Sequence, residues 1–151
     1  MLKDWTTVEN LLNQLKSKYP SNANVMLLEG DLALAQKDTL MAAKNYSAAL
    51  QIDPSFNQAL IRFYQITLQG VALELFEKQT NSLLKQNPNN ALLRNLLGDF
   101  YTNTNKFESA KPHYELLLKL KDYPIKAYIY NHLSNIAIGS HIVEADAYIL
   151  K

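Results

Sequence analysis

Three histidines, fourteen acidic residues and no cysteine are the raw material for chemistry in this 151-residue chain. A zinc site draws on clustered ligands, commonly two histidines one turn apart on a helix face. None of His113, His132 and His141 has another histidine within a turn, so each reads as an ordinary surface or interfacial side chain. Acid–base work needs two carboxylates with different surroundings. Glu74 and Glu77 lie one turn apart, but Lys78 beside them makes a solvated face. Glu29 and Asp31 flank Gly30 and point to different sides of a helix. There is no Gly-rich phosphate loop and no Gly-x-Ser-x-Gly elbow. The absence of cysteine removes disulfides and thiolate metal sites. The expectation is a chain that is not an enzyme, with no catalytic residues, no cofactor and no metal.

Charge narrows the partners. Fifteen basic and fourteen acidic residues give a net charge of +1. The densest basic stretch, Lys119, Lys121 and Lys126, is interrupted by Asp122. A duplex binder concentrates its cations on one face, so nucleic acid is not expected. No run approaches the roughly 20 apolar residues that cross a bilayer, and residues 1–10 contain no apolar signal core. The chain opens and stops in amphipathic sequence, which predicts an excised piece of a longer protein with its targeting information elsewhere.

The elements that must carry any site are helices. Only four glycines and five prolines interrupt a chain that is 48% hydrophobic and rich in Leu, Ala, Asn and Lys. Pro20, Pro54 and Pro88 recur with a constant step of 34, and Pro124 follows after 36. Proline cannot continue a helix interior, so even spacing marks even helix boundaries. A period of 34 fits one helix–turn–helix unit per repeat. Gly30 and Gly98, Ala42 and Ala110, and Tyr46 and Tyr114 are each 68 apart, two periods. The middle copy places Tyr64, Phe76 and Thr80 at those positions.

The predicted first pair is Ser21–Gln36, capped by Ser21, Asn22 or Asn24 and striped by Val25, Leu28, Leu32 and Ala35, then a helix from Asp38 or Thr39 to about Ile52. Asn57–Gln69 with Ala72–Gln86, and Asn90–Thr102 with Lys106–Leu120, are the next two. Pro112 inside the last predicts a kink or a late start. Ile125–Ile138 and Val143–Lys151 read as two further helices. Asp4–Lys18, with Val8, Leu11, Leu12 and Leu15, is a lone amphipathic helix at the front.

These residues resemble the tetratricopeptide repeat (TPR) family. The strongest copy is Leu97-Gly98-Asp99-Phe100-Tyr101, then Asn105-Lys106-Phe107-Glu108-Ser109-Ala110, Tyr114 and Leu117. The first copy keeps Gly30, Ala42, Tyr46, Ala49 and Pro54, with Ala33 for the expected aromatic. The second keeps mainly Pro88, and the fourth reads Leu133, Ser134 and Ala137. The resemblance implies an all-α fold, a right-handed superhelix of antiparallel pairs. It divides the single domain 1–151 into 1–20 (second helix of a partial repeat), 21–54, 55–88 (divergent), 89–124 and 125–151 (truncated). Small residues at 30, 98 and 134 would let paired helices approach, and Tyr46 and Tyr114 would fill the space between successive pairs. Each pair then covers the next.

In this family the first helices line a concave groove that holds a peptide or protein. The matching positions here are Asn24, Leu27, Asp31 and Leu34; Gln58, Ile61, Gln65 and Leu68; Leu92, Asn95, Asp99 and Thr102; and Tyr128, Asn131, Asn135 and Ile138. Amides that donate and accept would clamp an extended backbone. Leu27 and Asp31 stand where carboxylate-gripping relatives need Lys and Asn, and Asp31 and Asp99 would repel an anion. Asn87–Ala91 and Tyr130–Ser134 are also similar to TPR lipoproteins of bacterial PEP-CTERM exosortase and exopolysaccharide systems. That resemblance implies a periplasmic or outer-membrane site, with a cytoplasmic one otherwise. The leading expectation is a protein-binding scaffold in envelope assembly or export. The alternatives are a structural spacer or homo-oligomerising segment, dimerising through exposed faces of 1–19 and 143–151, and a regulatory domain of a larger enzyme.

Overall fold

A computed structural model describes residues 5–120 and 126–149, and the side chains up to His141. Pro124, residues 1–4 and the last two residues lie outside them. Eight helices and no strand occur among the described residues: α1 (Trp5–Lys18), α2 (Ala23–Ala35), α3 (Thr39–Ile52), α4 (Asn57–Thr67), α5 (Leu73–Gln86), α6 (Ala91–Asn103), α7 (Phe107–Lys119) and α8 (Lys126–Ile149). The fold is a TPR-like all-α helical repeat. Pro20, Pro54 and Pro88 each fall in the turn between two helices. The chain divides into two compact units, Met1–Gln79 and Thr80–Lys151, with the boundary inside α5.

In the first unit α2 and α3 form the tightest pair, and α3 packs on α4. Asn22 starts α2 by accepting from the Asn24 and Val25 amides at 2.9 and 3.4 Å. Asp38 starts α3 by accepting from the Met41 amide at 3.0 Å. Both are short polar residues in extended or near-extended backbone, as a cap requires. Lys37 between the helices takes φ +67°, and the Asp38 amide reaches back to the Ala33 carbonyl at 2.8 Å. The second unit repeats the turn two periods on: Asn105 has φ +58° and the Lys106 amide bonds Tyr101 O at 2.8 Å. These six-to-one closures end a helix with a left-handed residue.

The buried face of α2 is Ala23, Val25, Met26, Leu27, Gly30 and Ala33. The expected stripe is therefore rotated: Val25 is inside, but Leu28 and Ala35 are exposed and Leu32 is half-buried. Apolar residues run almost all round α2, so spacing could not choose its inner side. Gly30 sits under Tyr46, and a Cβ there would overlap the ring. Gly98 lies 2.7 Å, measured from an added Cβ, from two Tyr114 ring carbons. Both tyrosines are fully buried. Each meets the glycine of its own pair, and Tyr114 also reaches His132 of α8, between its pair and the next as expected. In the divergent middle copy the bulk moves to the other helix. Tyr64 replaces the glycine, Thr80 replaces the tyrosine, and Phe76 meets Phe63 edge-on at 5.2 Å.

In the second unit α6 pairs with α7, and α7 with α8. Pro112 is the sixth residue of α7, which starts at Phe107 without delay. Its missing amide removes one bond near the helix start. The larger departure is α8, a single helix of 24 residues where two were expected. Gly139 and Ser140 were the only break signals there, and a lone glycine costs a helix only about 1 kcal/mol. Gly139 is retained because an added Cβ would meet the Phe107 ring at 2.7 Å.

Candidate functional site

Two carboxylates on first helices organise the polar interior of each unit. In the first unit, Tyr46 of α3 donates its phenol to Asp31 of α2 at 2.8 Å. Arg62 of α4 forms an ion pair with the same oxygen. In the second unit, Tyr114 of α7 donates to Asp99 of α6 at 2.5 Å. Tyr128 of α8 donates to Asp99, its hydroxyl 3.0 Å from both carboxylate oxygens. His132 of α8 places Nδ1 3.1 Å from the Tyr114 hydroxyl and 3.8 Å from Asp99. Its ring lies 4.2 Å from Tyr128 and 5.1 Å from Tyr114, centroid to centroid. Each aspartate thus ties three helices together.

This cluster holds an acid, an imidazole and two phenols, yet its geometry is that of a staple. Burial, and then the Asp99 bond, push the Tyr114 phenol well above its ordinary range, so it stays a proton donor. Burial likewise raises Tyr46. Both oxygens of Asp99 are occupied by its own neighbours. Asp31 holds the same role in the first unit, with Arg62 where the second unit has His132 and Tyr128. No group of three or more metal-ligating side chains occurs among the described residues.

The expected groove residues divide accordingly. Asn24, Gln58, Ile61 and Gln65 are exposed in the first unit, and Asn131 and Asn135 in the second. Leu92 and Tyr128 are half-buried. Leu27 is a correction: at 5% exposure it belongs to the inner face of α2, beside Ala23, Met26 and Gly30, and offers nothing to a ligand. Asp31 and Asp99 are likewise engaged inward, so the anticipated repulsion of an anion is muted by Arg62, the phenols and His132. Asn95 is half-buried, with an Oδ1 fully shielded and without a hydrogen-bond partner.

Residues 91–123 match the tetratricopeptide repeat family. This segment is a tetratricopeptide repeat. Its first helix is α6 and its second is α7. The glycine–tyrosine contact and the aspartate staple are built between them, and the first unit carries the same landmarks two periods earlier. No curated protein matches the chain. Repeats of this kind generally mediate contacts between proteins. No described helix of the chain is long and apolar enough to cross a membrane.

Reasoning from the sequence missed the staple, although its signal was present. Asp31 and Tyr46 have the same spacing as Asp99 and Tyr114. It also missed His113. That ring is buried, stacks on Tyr101 at 5.6 Å, and has an Nδ1 with no hydrogen-bond partner. Burial, assisted by the Arg94 charge, lowers it to about 4.

Proposed function

We propose that this chain is a non-catalytic scaffold that holds an uncharged, extended peptide segment of a partner protein against its first helices. The observation that carries this reading is the inward engagement of Asp31 and Asp99. With Asp31 paired to Arg62 and Asp99 held by two phenols, the outward groups on the first-helix faces are amides and apolar side chains. In the first unit these are Asn24, Gln58 and Gln65 with Leu34, Ile61 and Leu68. In the second they are Asn131, Asn135 and Ile138. Amides satisfy a peptide backbone in either direction, and the intervening leucines and isoleucines take alternate side chains.

The test is peptide selection from a random display library, with affinity then measured for the selected sequence. Gln58→Ala with Gln65→Ala, and separately Asn131→Ala with Asn135→Ala, should each weaken binding about tenfold, the equivalent of 1.4 kcal/mol. Selected peptides should be poor in charge. Binding that ignores both double variants refutes the reading. The envelope location is a separate proposal, supported by the resemblance of residues 87–91 and 130–134. Cell fractionation that recovers the native protein in the cytoplasm would overturn it.

A further inference from the structure

Between α1 and α2 lies an open cleft of about 400 Å³, lined by Val8, Leu11 and Leu15 of α1 and by Leu28, Asp31 and Leu32 of α2 among others. The internal repeat shows what such a cleft holds. Val8 and Leu15 stand one period before Ala42 and Ala49 of α3, and two periods further on come Ala110 and Leu117 of α7. Those four are fully buried, because a first helix covers each second helix. In α1, Val8 and Leu15 are 40% and 38% exposed. Leu28 tells the same story. Its counterparts are Arg62 of α4, Leu96 of α6 and His132 of α8; Leu96 is buried, Arg62 pairs with Asp31 of α2, and His132 lies 3.8 Å from Asp99 of α6. Leu28 reaches nothing and is 46% exposed. The cleft is a vacant seat for a first helix.

One helix of the chain has the opposite deficit. On α2, Gly30 meets Tyr46 of α3, and Ala23, Met26, Leu27 and Ala33 are buried with it. The matching positions of α8 are Ala127, Tyr130, Asn131, Ser134 and Ala137, and all five are exposed. Tyr130 is 61% exposed. Among the described residues, then, no second helix covers that face of α8 and no first helix covers that face of α1.

We propose that α8 of one copy seats in the α1–α2 cleft of a second copy, in the manner of a first helix. Two matches single out α8. The complete pairs need glycine in the small slot, since a Cβ there strikes the tyrosine ring. In α1 that tyrosine is replaced by Leu12, a shorter side chain, and in α8 the glycine is replaced by Ser134. Serine fits over leucine and not over tyrosine. Next, the first-helix position occupied by Asp31 and Asp99 is Asn135 in α8. That residue would lie over Leu28, which has no donor for a carboxylate, so an aspartate there would be a buried unpaired charge, whereas a neutral amide costs far less to desolvate. Helices α2 and α6 fail this second match, and α4 fails the first because Tyr64 fills its small slot. The contact joins unlike faces, so it propagates from copy to copy and is not self-complementary. It shares Asn131 and Asn135 of α8 with the peptide-binding face proposed above and leaves Gln58 and Gln65 of α4 outside.

Sedimentation velocity of the 151-residue protein from about 1 µM to about 1 mM should show mass rising with concentration. Leu15→Glu and Ser134→Arg should each weaken association at least about tenfold. An equimolar mixture of the two should regain one-to-one complexes, because the first keeps the α8 face and the second keeps the cleft. Leu11→Lys and Tyr130→Glu serve if circular dichroism shows that either first variant has lost helix. Gln58→Ala with Gln65→Ala should leave association unchanged, which separates this inference from the peptide-binding reading. A wild-type protein that stays monomeric, an association that survives Ser134→Arg, or a mixture that fails to complement overturns it. Insertion of a helix from another protein alone would appear as the first of these.

Discussion

Gly98→Ala probes the closest helix approach in the tetratricopeptide repeat. A methyl group at this position lands 2.7 Å from both Cε1 and Cζ of Tyr114. Ordinary contact is about 3.5–4.0 Å, so helix or ring must move. The ring cannot retreat freely, because it is fully buried and its hydroxyl is held on Asp99 at 2.5 Å. Overpacking of this kind costs about 1–3 kcal/mol. Against that, alanine in a helix interior is favoured over glycine by about 1 kcal/mol. The net expectation is a loss of about 0–2 kcal/mol, or up to a few degrees in Tm for a chain of this size. Chemical denaturation of four proteins separates the terms: wild type, Gly98→Ala, Tyr114→Leu and the double variant. With the ring gone, the methyl meets open space and only the propensity gain remains. Gly98→Ala should then stabilise the Tyr114→Leu background by about 1 kcal/mol, a coupling well beyond the roughly 0.5 kcal/mol within which independent sites add. Additive effects would refute the claim that glycine is required by the tyrosine ring.

Three further outcomes follow from the described geometry. His113 is neutral in the folded state down to about pH 4 and ordinary when unfolded. The unfolded chain therefore binds the extra proton between about pH 6.5 and 4. Stability should fall by up to about 3 kcal/mol as pH drops through that window, and His113→Gln should flatten the urea-denaturation profile there. Asp38→Ala and Asn90→Ala remove side-chain caps at 3.0 Å on α3 and α6, and each should cost about 0.5–2 kcal/mol by thermal melting, with Thr39→Ala nearer zero. Lys37 holds a left-handed backbone at φ +67°, so Lys37→Gly should stabilise by up to about 1 kcal/mol in the same assay.

Proline spacing carried most of what the sequence revealed of the fold. A ring without an amide hydrogen acts locally, so Pro20, Pro54 and Pro88 mark turns whatever packs around them. The caps were legible for the same reason, since Asn22 and Asp38 act on amides two or three residues away. What failed depended on neighbours. The inner face of α2 is chosen by Tyr46 against Gly30, and a helix apolar nearly all round gives no hint of it. The continuity of α8 rests on Gly139 meeting Phe107, a ring that belongs to the start of α7 and is remote in sequence. At the candidate site, the amides at 58, 65, 131 and 135 were foreseen as outward residues. Leu27 was assigned by its slot, but burial there depends on which way α2 is turned. The aspartates were read as free charges: their bonds to Tyr46 and Tyr114 left a trace in the shared spacing, but Arg62 and Tyr128 come from the next first helix, which no local pattern reveals.

The central claim is that the amide-bearing faces of the first helices are the surface that holds a partner. Photo-crosslinking tests it most directly, with a benzophenone side chain introduced at Gln65 of α4 or at Lys44 of α3, both exposed. The account predicts that a library-selected peptide crosslinks from position 65 and not from position 44. Crosslinking from 44 with none from 65 would contradict it.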